Sequence, residues 1–528
     1  MTSRTAVLVV GGSLNGLTTA LLLAHHGVDC IVVERHPNTT VQYKFRGISP
    51  RSMEIYRGLG IQDEIRAHLT GDQKAGDIGH AKNLSDPNVQ WMGEPWADTA
   101  QLSAATAETC DQDHLEPILR AHAERLGADI RFNTELVAFE QDTLAVRCRV
   151  RHRETGTEEL ITAAYLVAAD GVSGKTREWL HIGRHGPGEL QHWMNLIFDT
   201  DLQPYVQGRR FTSCFVSDVN GSIVPREDRW LLAVQYSPER GERPEDFDQA
   251  RTEQLVRQAA GRADTAVRLF DARHWDVIAT VADRFREGRA FLVGDAAHAI
   301  PPTGGFGGNT GIHDAHNLAW KLAFVLRHGA DTTLLDSYDA ERRHAAERTQ
   351  AQALARLASW FKDPTRRLPP VESIVDDFAV IFGQLYPNGA VVSEGNVGDD
   401  EFEDPRHPSG RPGSRAAHFV LNTNGRRVAI HDLFDEECVL LTSSDGSDWA
   451  DAAATLRAHG SLPLSHVPVG GDDNGQGAAE LTLKYGVNPD GAVLVRPDGV
   501  IAWRARTATS DNYTELRRAL THVGLRVA

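Results

Sequence analysis

At 528 residues the chain exceeds what one hydrophobic core ordinarily organises, so two or three domains are expected. Hydrophobic residues make up 41% and charged residues 24%, which excludes an intrinsically disordered chain. With 72 acidic against 55 basic side chains and a formal net charge of -17, it lacks the basic excess of a nucleic-acid binder, which needs a positive face for phosphates.

In chain order, the first element is the apolar run Ala6-Val7-Leu8-Val9-Val10, which reads as a parallel strand buried on both faces. Gly11-Gly12-Ser13-Leu14-Asn15-Gly16 follows, then a helix with Leu17, Ala20, Leu21 and Ala24 at helical spacing and Gly27 at its end. A second strand, Cys30 to Val33, leads into Glu34 and Arg35. Strand, glycine turn, helix, strand and acid is the dinucleotide-binding order. Gly11 permits the tight turn, Gly16 lets the helix approach the strand, and free N–H groups at Leu14 and Asn15 face a pyrophosphate. Glu34 is placed for a ribose hydroxyl, which suits NAD or FAD and does not choose between them. Ser13 replaces the usual middle glycine, so the approach there is less open. These breaks also exclude a signal peptide over Thr5 to Ala24, and no run reaches the roughly 18 to 20 apolar residues of a membrane span.

Farther on, Lys44-Phe45-Arg46 precedes a helical stretch beginning near Pro50, and Gln112 opens another. Ala164 to Ala169 is a strand followed by Asp170-Gly171, then Gly174 and Arg177. Strand-like runs at Trp193 to Phe198, Phe211 to Val216 and Trp230 to Gln235 come next. Ala290 to Val293 is a strand followed by Gly294-Asp295, with His298, Pro301-Pro302 and the loop Gly304 to Gly311 behind it. That loop opens a helix with Ile312, Ala315, Ala319, Leu322 and Leu326 at a 3.6 period. After a loop rich in Asp, Pro and Gly (Asn388 to Pro412), strands are expected at Val439 to Leu441, Leu464 to Val467 and Ala492 to Val495. A hairpin turn at Pro497-Asp498-Gly499 then precedes Val500 to Arg504. The five cysteines, Cys30, Cys110, Cys148, Cys214 and Cys438, show neither CxxC nor metal spacing, so no metal is expected and the thiols read as reduced and structural in a cytoplasmic protein.

Three of these segments, Gly11 to Glu34, Ala169-Asp170-Gly171 through Arg177, and Gly294-Asp295, resemble in type and order the motifs of the class A flavoprotein aromatic hydroxylases. This is the para-hydroxybenzoate hydroxylase family, and the likeness is closest to the members that tailor aromatic polyketides. The resemblance implies an α/β fold: a Rossmann-type FAD-binding domain (1–180 and 275–375) with an inserted antiparallel-sheet substrate domain (181–274), a linker (376–412) and a thioredoxin-like C-terminal domain (413–528). It implies that Asp295 bonds the ribityl chain and that Lys44, Arg46 and Gln112 contact FAD. The loop Pro302, Gly305, Gly307, Gly308, Asn309 and Thr310 would lie under the flavin ring, where a helix N-terminus favours the negative charge of the reduced ring. Asp170 and Gly171 would serve FAD and a visiting NADPH or NADH. Gly174 stands where many relatives have serine, which leaves one hydrogen bond near Asp170 open.

With no second dinucleotide unit and no CxxC, the sequence does not fit disulfide reductases or two-dinucleotide oxygenases. The family's cycle passes hydride to the flavin, forms a flavin C4a-hydroperoxide from O2, and adds its terminal oxygen to an electron-rich ring. Pro302 is expected to wall the flavin, and Trp193, Asn195, Phe215, Gln235 and Tyr236 to line a pocket for an aromatic small molecule. Tyr236 is also a candidate catalytic group, and His192 a weaker one; His298 reads as structural. Baeyer–Villiger oxygen insertion and an FAD-retaining binding protein remain alternatives. The protein is expected to act as a monomer or homodimer, with neither nucleic acid nor membrane as partner.

Overall fold

The structure is a computed structural model that describes residues 2–41, 44–68, 77–91, 96, 98–202, 211–226, 229–360, 373–395, 401–423, 426–443, 446–458, 462–470 and 476–527. Residues 361–372, near the close of the expected FAD domain, and 396–400, in the expected linker, lie outside these.

The strands that precede the three motifs form one parallel array. Thr2–Val10 pairs with Cys30–Val33 on one side and Glu158–Ala168 on the other, and Glu158–Ala168 pairs in turn with Ala290–Leu292. The register sets Val10 beside Val33 and Ala168, and Ala168 beside Leu292. Gly11, Glu34, Asp170 and Gly294 therefore leave the sheet at the same carboxyl edge, where open α/β sheets bind ligands. Buried aliphatic side chains on both faces hold the array: Val7, Leu8, Val9, Ile31, Val32 and Leu166 are at most 4% exposed. Helices Leu14–His25, Gln112–Arg125 and Phe306–Arg327 pack together against it. Gly27, at φ +67°, turns the chain out of the first helix.

The second sheet has eight strands in the order His298–Ala299, Arg268–Ala282, Arg184–Asp199, Trp230–Tyr236, Gly221–Pro225, Phe211–Val216, Asp77–Ala81 and Gln90–Trp91. All neighbours are antiparallel except Phe211–Val216 and Asp77–Ala81. The sheet exceeds the expected 181–274 insert. Asp77–Ala81 and Gln90–Trp91 join from earlier in the chain, and Arg268–Ala282 runs on because its Val277, Ala279 and Val281 carry the buried face back to the first domain. The two faces differ. Met194, Leu196, Phe198, Leu232, Val234 and Tyr236 form a core with Val256, Ala259 and Ala260 of helix Gln249–Ala260. On the other face Trp193 and Val277 meet Leu357 of helix Asp336–Trp360.

In the C-terminal part, Leu464–Val469, Cys438–Ser443, Ala492–Val495 and Ile501–Ala505 lie in that spatial order. The first two are parallel, the rest antiparallel, and helices intervene. This second-first-third-fourth arrangement is thioredoxin-like. A helix, Asp377–Phe382, occupies part of the expected linker, capped by Asp376 and buried through Val380, Ile381 and Phe382. The turn carrying Asp498 inserts between the long helices. There Arg496 grips Glu341 with two bonds (2.7 and 2.9 Å), Lys321 donates to Glu341 at 2.8 Å, and Asn317 donates to Asp498 at 3.1 Å. All five cysteines are buried, and burial pushes the Cys438 thiol up to about 12.

Candidate active site

At the first turn the glycines have no room for side chains. Gly11 has φ +107°, and a β-carbon there would stand 2.3 Å from the Ala169 carbonyl oxygen; one on Gly16 would stand 1.9 Å from that of Gly11. Helix Leu14–His25 begins without a side-chain cap: the Ser13 hydroxyl is turned away, donating to Glu116 at 2.6 Å and accepting from Gln112. Gln112 donates to Ser13 (2.9 Å) and Glu116 (2.7 Å), so Ser13, Gln112 and the N–H groups of Leu14 and Asn15 share one corner. Glu34 accepts from the Gly12 N–H at 2.7 Å and the His36 N–H at 2.8 Å. The His36 ring Nδ1 also meets the oxygen that takes the His36 N–H, so the other oxygen, which accepts from Gly12, is the one that keeps a further lone pair.

Asp170 accepts from the backbone and hydroxyl of Thr176 on one oxygen (3.1 and 2.8 Å), while its Oδ1 is buried with no partner. Burial raises its pKa, opposed by Thr176 and the exposed Arg35. Gly174 is explained here. A β-carbon at that position would stand 2.2 Å from the Asp170 carboxyl carbon, and Thr176 supplies the bonds a serine would give. Gly171, at φ +82°, continues the turn. The Asp295 carboxyl is open to solvent, yet desolvation by the protein around it raises its pKa, against the pull of His298 and Lys44. Arg46 donates to the Pro225 carbonyl at 2.6 Å and lies 3.7 Å from Asp111, which ties it to the second sheet.

The glycine loop brings two left-handed residues, Gly304 (φ +85°) and Gly305 (φ +67°), to the uncapped start of helix Phe306–Arg327. Pro302 is exposed and its carbonyl accepts from the Gly305 N–H at 3.0 Å. Gly307 lies near the Ile300 backbone, and Gly308 lies under the Phe45 ring, 2.4 Å from where its β-carbon would be. The expected polar contacts of Asn309 and Thr310 go to protein. Asn309 accepts from the Ser49 N–H and Ser52 hydroxyl and donates to the Gly47 and Gly305 carbonyls. The Thr310 hydroxyl bonds back to the Phe306 carbonyl at 2.9 Å. Both side chains brace the loop rather than extend beyond it.

On the second sheet, Trp193, Asn195, Phe215 and Gln235 share the face that meets helix Asp336–Trp360. Trp193 stacks on Trp275 at 5.8 Å, Asn195 accepts from the Trp275 indole at 2.9 Å, and Gln235 accepts from Asn220 at 2.6 Å. Phe215 stacks on His80 at 5.0 Å and meets Trp360 edge-on at 5.6 Å. Tyr236 is a correction. It points to the opposite face, into the core beneath helix Gln249–Ala260, with its ring 5.8 Å from Phe247. His192 lies beside it and pairs with Asp276 at 2.8 Å. Neither reaches the face of Trp193.

Two uncapped helix starts, glycines that exclude β-carbons, and partnerless buried oxygens on Asn15 and Asp170 meet the demands of a bound FAD. The model of the FAD binding domain matches residues 4–353, and that of the aromatic-ring hydroxylase C-terminal region matches residues 409–524. The chain belongs to the FAD-dependent aromatic-ring hydroxylases. It is 38% identical over 552 residues to the tetracenomycin A2 monooxygenase-dioxygenase of Streptomyces glaucescens, covering 99% of this chain and 97% of that one. It is 38% identical over 537 residues to the aklavinone 12-hydroxylase of Streptomyces purpurascens, covering 98% of each. The crystal structure of aklavinone-11 hydroxylase with FAD and aklavinone matches with a TM-score of 0.91 at 36% identity, over 99% of both chains. The enzyme is thus an FAD-dependent monooxygenase, a class that uses a reduced nicotinamide and O2.

Sequence reasoning missed four residues of this hydroxylase. Glu116 holds Ser13 and Gln112, and its i,i+4 spacing from Gln112 was the available signal. Trp96, at φ +58°, lies across Gly47 and Gly305, 3.4 and 3.2 Å from where their β-carbons would be, with its indole nitrogen buried and unpartnered. His80 carries a buried, unpartnered Nε2, and burial lowers its pKa. Asp314, in the third turn of helix Phe306–Arg327, gave no sequence signal. His298 reads as expected: it is 1% exposed and bonded to Asp314.

Proposed function

We propose that the enzyme hydroxylates a polycyclic aromatic polyketide bearing a phenol. The observation that carries this reading is the convergence of three cofactor turns at one sheet edge with an aromatic side-chain face on the adjoining sheet. The relative solved with aklavinone supports the substrate class.

In this reading Ser13, Gln112 and the start of helix Leu14–His25 hold the pyrophosphate, aided by Asn15, and Glu34 holds the adenosine ribose with Arg35 at its edge. Asp295 and Lys44 border the ribityl chain. Asp170 and Gly171 would serve both the FAD and the visiting nicotinamide, and Arg46, bonded to the Pro225 carbonyl, would hold the second sheet near the cofactor. When bound and reduced, FAD activates O2 so that one oxygen atom passes to the aromatic ring. The chain's own work is placement and charge. The helix start at Phe306, with Gly307 and Gly308, would offer N–H groups to the flavin ring, and Pro302 would wall the ring and exclude water. Trp96 and Phe215 stack the substrate, with Trp193, Asn195 and Gln235 as the framework behind them. His80, kept neutral by burial, accepts a hydrogen bond from the phenol. Buried reduced thiols and the need for cellular NAD(P)H favour a cytoplasmic setting, as a monomer or homodimer.

The test is anaerobic stopped-flow with NADPH or NADH and a panel of aromatic polyketides, followed by oxygen. Substrate-accelerated flavin bleaching and a product heavier by one oxygen, on the ring by fragmentation, are expected. An ester product would replace hydroxylation with Baeyer–Villiger insertion. A flavin that neither nicotinamide bleaches would replace the enzyme with a binding protein.

A further inference from the structure

One carboxylate ties together three segments placed at the expected flavin ring. Asp314 is fully buried on helix Phe306–Arg327. Its Oδ2 accepts from the Gly294 N–H at 3.1 Å, just before Asp295, and lies 2.6 Å from His298 Nε2, in the segment that leads to Pro302. Its Oδ1 accepts from Arg342 Nε at 2.8 Å. Arg342, on helix Asp336–Trp360, donates onward to the Thr310 carbonyl at 3.2 Å and to the Tyr386 hydroxyl at 2.7 Å. The GD turn, the proline segment and the first turns of the glycine-loop helix thus share one buried anion and its arginine.

We propose that Asp314, locked by Arg342 and His298, is a positioning residue that sets the distance between the Gly294-Asp295 turn and the start of helix Phe306–Arg327, and so tunes both FAD affinity and the stability of reduced FAD. The inference rests on the FAD placement proposed above. Three features argue for it. Gly294 holds φ +61°, where a glycine is free to take other conformations, and the bond from its N–H to Asp314 fixes which one the turn keeps. The carboxylate is charged, since burial works against ionisation yet His298 and Arg342 bring its pKa to about 2. A charged acceptor makes shorter and stronger bonds than a neutral one, so geometry is held more tightly. A helix start displaced from the pyrimidine edge loses donor alignment mainly to the reduced, anionic ring, and the oxidised ring is affected less.

The experiment compares wild type, Asp314→Asn, Arg342→Lys and, as a destabilised control outside the cofactor shell, Glu341→Gln. The readouts are apoprotein titration with FAD, the flavin midpoint potential by dye equilibration, and thermal unfolding. Asp314→Asn is expected to raise the FAD Kd at least tenfold and to lower the potential by about 30 mV, the two-electron equivalent of a tenfold change in relative affinity. Arg342→Lys, which keeps the charge but not the fork, should give intermediate values. Glu341→Gln should lose thermal stability while keeping affinity and potential. If Asp314→Asn does not fold, Arg342→Lys decides. Unchanged Kd and potential in the folded variants would overturn the proposal and leave Asp314 a structural residue. A wild-type apoprotein that did not bind FAD would overturn the cofactor placement as well.

Discussion

The carboxamide of Asn15 stands 2.1 Å from the point a β-carbon on Gly294 would occupy. The first motif of the chain therefore packs directly into the last. The contact explains why the glycine is needed twice over, since Gly294 also holds φ +61°. Gly294→Ala must either push Asn15 from the helix start or relax the turn that aims Asp295. A cost of roughly 1–3 kcal/mol is expected from the backbone alone. Titration of the apoprotein should show FAD affinity reduced tenfold or more, with urea unfolding shifted to lower concentration.

Trp96 carries the second prediction. It lies against Gly47 and Gly305 in a left-handed conformation uncommon for a bulky residue. Trp96→Ala should raise KM for a polycyclic substrate about tenfold, in line with the ~0.5–1.5 kcal/mol of an aromatic contact beyond its area. Trp96→Phe should recover much of the loss. Steady-state kinetics on both variants, with FAD occupancy checked by absorbance, would expose a purely structural role through equal effects on all substrates.

What was legible in the sequence was what is local. Gly11, Gly16 and Glu34 declare themselves because strand, turn and acid follow one another, and Asp170 and Asp295 because each closes an apolar strand. What was not legible depends on which faces meet. Asp314 and Glu116 act through partners far along the chain, and Trp96 gains its place only when two glycines come together beneath it. Tyr236 is instructive, because strand periodicity alone forbids adjacent Gln235 and Tyr236 from lining one pocket. The pattern allows only one of the two to face the pocket and does not say which, since both faces of this sheet are covered.

That division of faces gives the third prediction. Tyr236→Phe removes a hydroxyl on the far side of the sheet and should change kcat/KM less than twofold. His80→Ala and Phe215→Ala, on the near side, should each lower it tenfold or more. His80→Ala should also change the dependence of hydroxylation on pH, because a neutral acceptor is lost. Parallel pH–rate profiles of His80→Ala and wild type would remove His80 from the site.

The buried cluster at the C-terminal turn gives the fourth. Glu341 is fully buried; burial opposes its charge, yet Arg496 and Lys321 bring its pKa down from 4.5 to about 2. A carboxylate with a depressed folded pKa adds stability above its unfolded pKa and loses it as pH falls through the folded one. Asp314 behaves alike, from 3.8 to about 2. Stability should therefore decline as pH drops from about 4.5 towards 2, by roughly 2–3 kcal/mol for each group. Glu341→Gln should leave Lys321 buried without its carboxylate partner and Arg496 with Asp498 alone, which costs about 3–5 kcal/mol at neutral pH. The same substitution should flatten the acid limb of the stability curve, because the lost carboxylate no longer titrates. Urea unfolding of wild type and variant across this pH range measures both effects, and an acid limb of equal steepness in the two proteins would assign the pH dependence to other carboxylates.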